Sequence, residues 1–129
     1  MQWQNPELRL DRDTVYGVLL CRGLEDWLQP ADFFDLVRYT GPQSEDQYRS
    51  EAISMARRLV FEGHALAGDT GDSEHYPWSG SADEQLSRVA ALWSDPDVDP
   101  RFAFVWFDLT AAGREAAEEA LARLPDLDG

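Results

Sequence analysis

Nine residues, Arg101-Phe-Ala-Phe-Val-Trp-Phe-Asp-Leu109, constrain the fold of this chain more than any other stretch. Aromatic and branched side chains dominate them, and Pro96 and Pro100 supply a turn just before, so the pattern predicts a strand. Side chains alternate along a strand. Phe102, Phe104 and Trp106 therefore point one way, and Ala103, Val105, Phe107 and Leu109 the other. Both faces are apolar, so another part of the chain or a partner must cover the second. Thr110 then serves as a helix N-cap, and Ala111 to Leu124 sets Gly113, Ala117, Ala120, Leu121 and Leu124 on one stripe. Glu119 and Arg123 are spaced as an i,i+4 ion pair on the other side.

The upstream residues read as helices with short extended pieces between them. Asp11 or Asp13 can cap a first helix whose Val15, Tyr16, Val18, Leu19, Leu20 and Cys21 leave little polar face, so it is central and mostly buried. Gly17 permits close packing there, and Gly23 is the stop. Trp27 and Leu28 make a short extended piece. Pro30 suits the first turn of a second helix, Asp32 and Asp35 complement its dipole, and Thr40-Gly-Pro42 ends it. Ser44-Glu-Asp-Gln47 is a capping box that opens a third helix, with Ala52, Ile53, Ala56, Leu59 and Val60 as its stripe and Gly63 as its end. His64-Ala-Leu-Ala67 reads as a strand. More than thirty residues separate it from the aromatic strand, and among them Ser81-Ala-Asp-Glu84 is a second capping box. The helix it opens carries Leu86, Val89, Ala90 and Trp93 on one face, and is the expected cover for the second face of the aromatic strand.

The run Trp106-Phe-Asp-Leu-Thr-Ala-Ala-Gly-Arg114, leading into an alanine-rich helix, resembles the last wing strand and closing helix of MarR-like and PadR-like winged-helix proteins, where Leu-Thr-x-x-Gly-Arg recurs. The order of elements from residue 13 to 124 is similar to theirs as well. The resemblance implies an α+β fold class: a winged helix-turn-helix-like domain over 13–124 with an enlarged, helix-containing wing, the insertion falling at 68–100. An N-terminal arm at 1–12 and a C-terminal tail at 125–129 flank it. It further implies that the third helix enters the major groove, which makes Arg49, Arg57 and Arg58 the candidate DNA-binding residues. All the basic residues are Arg, alongside many Ala, Asp and Gly, as in GC-rich bacterial genomes of actinobacterial type.

Charge argues against that groove. The chain has 25 acidic and 11 basic residues, a formal net charge of −14. Residues 63–100 hold eight acids and only Arg88, and the first turns of the third helix hold Arg49 among Glu45, Asp46 and Glu51. Such a surface repels phosphate and anionic lipid and favours basic partners. The expected function is a non-catalytic protein-interaction or regulatory module, monomer or homodimer, with an unidentified protein partner of basic character. The alternatives are a DNA-binding transcriptional regulator and a nucleic-acid-mimicking inhibitor of the immunity or antitoxin type.

No residue pattern assigns catalysis, a metal or a cofactor. His64 and His75 are the only histidines, and the Asp72, Glu74, His75 group lacks a ligand spacing. Asp95-Pro-Asp-Val-Asp99 resembles the start of a calcium loop, but Pro100 stands where Gly is needed and Trp106 where a bidentate Glu is needed. Cys21 lies among apolar residues and reads as a structural thiol. Gly68-Asp-Thr-Gly-Asp72 lacks the Lys of a phosphate loop. The loop Gly71 to Gly80 holds His75-Tyr-Pro-Trp78, which either presents aromatics to a partner or folds back to plug the core. His75, Tyr76, Trp78, Phe102, Phe104 and Trp106 are accordingly the candidate partner-binding residues. A lone cysteine, with neither a signal segment nor a membrane-spanning run, points to the cytoplasm.

Overall fold

Asp11 starts the first helix, its carboxylate accepting the Thr14 N–H at 2.7 Å. A computed structural model describes residues 8–124; the first seven residues of the expected arm and the tail at 125–129 lie outside the described residues. Helix α1 (Arg12–Arg22) buries Val15, Tyr16, Gly17, Leu19 and Leu20, as its sparse polar face requires. Helix α2 (Pro30–Val37) opens with Pro30 in its first turn and a reciprocal box between Gln29 and Asp32. A 3-10 turn (Arg38–Thr40) follows, and Gly41, at φ +79°, reverses the chain. Helix α3 (Glu45–Phe61) is capped by Ser44 Oγ, which accepts the Gln47 N–H at 3.1 Å. The Gln47 side chain, however, accepts the Gln43 N–H at 2.6 Å, so the return half of that box closes one residue earlier than expected.

The three strands β1 (Ala65–Gly71), β2 (Glu74–Pro77) and β3 (Trp106–Leu109) form an antiparallel sheet in the order β2-β1-β3. Leu28 bridges Phe107 on the far side of β3, their N–H and carbonyl groups exchanged at 2.9 and 2.8 Å. Strand β1 outruns the expected His64–Ala67 because the chain doubles back at Asp72 and Ser73, both at positive φ, and gives it a hairpin partner. Half of the residues from Gly71 to Gly80 are thus strand rather than loop. The aromatic strand is shorter than expected, since Pro100–Phe102 is a 3-10 turn whose start is fixed by Asp99 accepting the Arg101 N–H at 3.0 Å.

Helix α4 (Ala82–Ser94) begins with the Ser81–Glu84 box and buries Leu86, Val89 and Trp93. Its Trp93 ring packs 5.1 Å from Phe33, 5.5 Å from Phe34 and 6.2 Å from Phe107. Helix α4 therefore covers the Phe107 side of the sheet, its single apolar stripe used up there and against α2 and α3, and the face bearing Phe102, Phe104 and Trp106 receives no helix. Helix α5 (Ala111–Leu121) returns along α1, with Ala120 against the bare Cα of Gly17. Two expectations for α5 are corrected. Leu121 lies off the stripe and is exposed because Ala120 takes the contact with α1, and Arg123 Nε donates to the Glu119 backbone carbonyl at 3.3 Å instead of its carboxylate.

Candidate functional site

Strand alternation divides the 101–109 segment as its sequence requires. Ala103, Val105, Phe107 and Leu109 are buried, whereas Phe102 is 69% exposed and Phe104 47%. On the outer face, Trp106 stands opposite Gly68 of β1, which in turn stands opposite Pro77 of β2. Gly68 leaves room for the His75 imidazole to lie across it; a Cβ there would come within 2.8 Å of His75 Cε1. His75 Nε2 lies 2.9 Å from the Trp106 carbonyl oxygen, and since a carbonyl only accepts, Nε2 carries the proton.

Trp27 joins this face because its neighbour Leu28 points to the core. Its ring lies 6.0 Å from His75 and 6.5 Å from Trp106, the two indoles nearly perpendicular at 77°. Phe104 stacks on Trp106 at 5.7 Å and 9°, and Phe102 meets Phe104 edge-on at 6.5 Å. Five rings thus form one continuous row over the outer face of the sheet, Phe102 and Phe104 exposed and Trp27, His75 and Trp106 half-buried. Asp108 belongs to the same face: it pairs with Leu66 of β1, and the antiparallel register set by Leu28 and Phe107 places it opposite Trp27. Among the described residues its carboxylate makes neither a hydrogen bond nor an ion pair.

The row unites His75, Phe102, Phe104 and Trp106 and separates two other candidates from them. Tyr76 pairs with Asp69 and projects to the opposite side, 48% exposed at the sheet edge. Trp78 is buried; its backbone N–H donates to the Ala67 carbonyl at 2.9 Å, and the Arg88 guanidinium lies 3.8 Å above its ring. This corrects its reading as a partner contact, because a cation–π lid and the sheet hold it inward. Trp27 was missed: its only signal is the two-residue alternation with Leu28.

Of the three basic candidates on α3, Arg49 and Arg58 are engaged within the fold. Arg49 is only 7% exposed, and Nη1 donates to the carbonyls of Trp93 and Asp95, each at 2.9 Å. It is committed to closing the end of α4. Arg58 pairs with Asp13 at 2.7 Å and Glu62 at 3.4 Å and covers the Tyr16 ring at 4.0 Å. Arg57 is exposed, resting 4.9 Å from the Phe61 ring centroid.

Away from the sheet, a cleft of about 290 Å³ opens between α1, α5 and the end of α3, lined by Tyr16, Arg58, Glu62, His64, Glu119 and Arg123 among others. The Tyr16 hydroxyl lies 2.6 Å from His64 Nδ1. Burial, reinforced by Glu62 and opposed by Arg58, pushes the Tyr16 pKa well up, so the phenol keeps its proton at neutral pH. Burial alone pushes the Cys21 thiol up, against nucleophilic character. Among the described residues no three His, Cys, Asp or Glu side chains are grouped to hold a metal ion, and no helix is long and apolar enough to cross a membrane. No protein-family model matches the chain, nor does any curated protein or solved structure.

Proposed function

We propose that this chain is a non-catalytic protein-interaction module on a winged-helix-like scaffold, and that the outer face of its sheet is the contact surface. The observation that carries the reading is the row of five rings, Phe102, Phe104, Trp106, His75 and Trp27, on the face opposite the core. A contiguous aromatic surface of this kind marks an interaction site on a folded domain. Three helices, the Leu28 bridge, two antiparallel strands and a closing helix follow the winged-helix order, with β2 and α4 inserted between β1 and β3 as an enlarged wing. DNA contact through α3 is not part of this reading. Arg49 and Arg58 are engaged within the fold, and the net charge of −14 opposes a phosphate backbone. The same charge selects a partner of basic character.

A photo-crosslinking amino acid at Phe102 tests this inside cells, with Leu121, exposed on α5, as the remote control. The expected result is a discrete adduct to one protein at position 102, lost on Trp106→Ala and absent at 121. Equal, diffuse labelling at both positions would overturn the proposal, and retardation of sheared DNA at low salt would return α3 to the centre of the function.

A further inference from the structure

Asp108 is the one carboxylate that β3 contributes to the aromatic row, flanked by Trp106 two residues before it and by Trp27 across the strand pair. Of the acids beside the other rings, Asp99 pairs with Arg101 at 2.7 Å, Asp26 accepts the Trp27 backbone N–H at 2.8 Å, and Glu74 alternates to the face opposite His75. Asp108 has no such partner among the described residues. A neutral apolar surface docking on the row would strip water from this carboxylate and return nothing in exchange. A cation removes that cost. The rings beside it suit one: the two indoles meet edge to face at 6.5 Å and 77°, and an indole face attracts a cation laid over it.

We infer that Trp27, Trp106 and Asp108 form a receptor for an arginine side chain carried on a basic segment of the protein partner. The inference rests on the reading of the outer sheet face as the contact surface. Guanidinium fits better than ammonium because it is planar, stacks on an aromatic face and meets a carboxylate with a two-pronged donor set. The field around the site agrees in sign, with Glu25 and Asp26 exposed just before Trp27 and an excess of fourteen negative charges over the whole chain. A second copy of this chain does not fit: it would bring the same carboxylate and the same net charge against the site. Strand addition to the free edge of the sheet does not fit either, since β2 has four residues and ends in Pro77, which has no N–H to donate.

The probe is the capped pentapeptide Gly-Arg-Gly-Arg-Gly, titrated into the full-length protein at physiological ionic strength and followed by nitrogen-15 NMR. The Trp27 and Trp106 indole N–H resonances are expected to shift with a common Kd, and Asp108→Asn to weaken binding about tenfold. Glu115→Gln, which removes the same charge from the exposed side of α5, is expected to leave Kd within about twofold, as a remote screened charge should. Trp27→Leu gives a second test that keeps the carboxylate, and is expected to weaken binding as Asp108→Asn does. Equal losses in Asp108→Asn and Glu115→Gln, shifts scattered over the acidic surface, or equal affinity for the lysine counterpart would each overturn the inference. Failure here is distinguishable from failure of the contact-surface reading: a position-102 crosslink that persists undiminished in Asp108→Asn leaves the surface standing without its arginine, whereas loss of any specific crosslink in the unmodified protein removes both.

Discussion

Arg49 Nη1 donates to the Trp93 carbonyl at 2.9 Å, tying the second turn of α3 to the end of α4 across 44 residues. The same nitrogen holds the Asp95 carbonyl, and Nη2 reaches the Val98 carbonyl at 3.3 Å. Helix ends leave carbonyls without partners, and here one buried guanidinium supplies donors to the end of α4 and the turn beyond it. Arg49→Ala should therefore cost about 2–3 kcal/mol of stability, the scale of lost hydrogen bonds to a charged group, while exposed Arg57→Ala stays within about 0.5 kcal/mol. Urea unfolding of the two variants checks this. A near-neutral Arg49→Ala would free that residue for a surface role.

Gly113 sits where the first turn of α5 crosses the end of α3. Thr110 Oγ1 accepts the Gly113 N–H at 3.1 Å and donates to the Gly63 carbonyl at 2.6 Å, and the Thr110 N–H donates to the His64 carbonyl at 2.9 Å. A Cβ on Gly113 would be driven into that His64 carbonyl oxygen. Gly113→Ala should lose about 3 kcal/mol despite its better helix propensity, the cost of overpacking against backbone. The melting midpoint reads it, and an unchanged or raised value would show that α5 can shift to make room.

The two faces of β3 should respond in opposite ways. Phe107, buried against Phe33 and Trp93, should cost about 3–5 kcal/mol as Phe107→Ala. Phe104→Ser, on the outer face, should change stability by less than about 1 kcal/mol while abolishing the position-102 crosslink. A Phe104→Ser protein as unstable as Phe107→Ala would mean that the outer row is structural.

Alkaline pH offers a further check. The pKa of Tyr16 is raised by burial and that of Tyr48 likewise, so the folded protein keeps both phenolic protons where the unfolded chain, near pH 10, releases them. The contribution is fully present below about pH 10 and is lost as the pH rises beyond it, because the native state then binds more protons than the unfolded one. Stability should fall steeply above about pH 10, and Tyr16→Phe should make that fall shallower. An identical slope in the variant would take Tyr16 out of the transition.

Local chemistry was legible in the sequence, and long-range commitments were not. Asp11, Ser44, Ser81 and Thr110 each cap the helix that follows, because a cap is a contract between residues two or three apart. The alternation from Phe102 to Leu109 also held, since the pleat alone dictates it. Strand β2 was hidden because its turn uses Asp72 and Ser73 at positive φ, where Asn-Gly would have announced a hairpin. Trp78 could not be placed without Arg88, nor Arg49 without the carbonyls at the end of α4, for those contacts exist only once the fold has formed. Of the outer row, the sequence named four aromatic positions and omitted Trp27 and Asp108, whose membership depends on register across Leu28 and Phe107.

The span between β1 and β3 has a kinetic consequence. Strands β1 and β3 pair across residues 72–105, and Leu28 must wait longer still for Phe107. A floppy connection of that length would make sheet closure a slow search. The β1–β2 hairpin and the self-capped α4 are both specified by near neighbours, so they can form first and shorten the distance the remaining chain must explore. The segment between β1 and β3 is thereby a folding aid, and deleting it would leave β3 to find β1 without a guide.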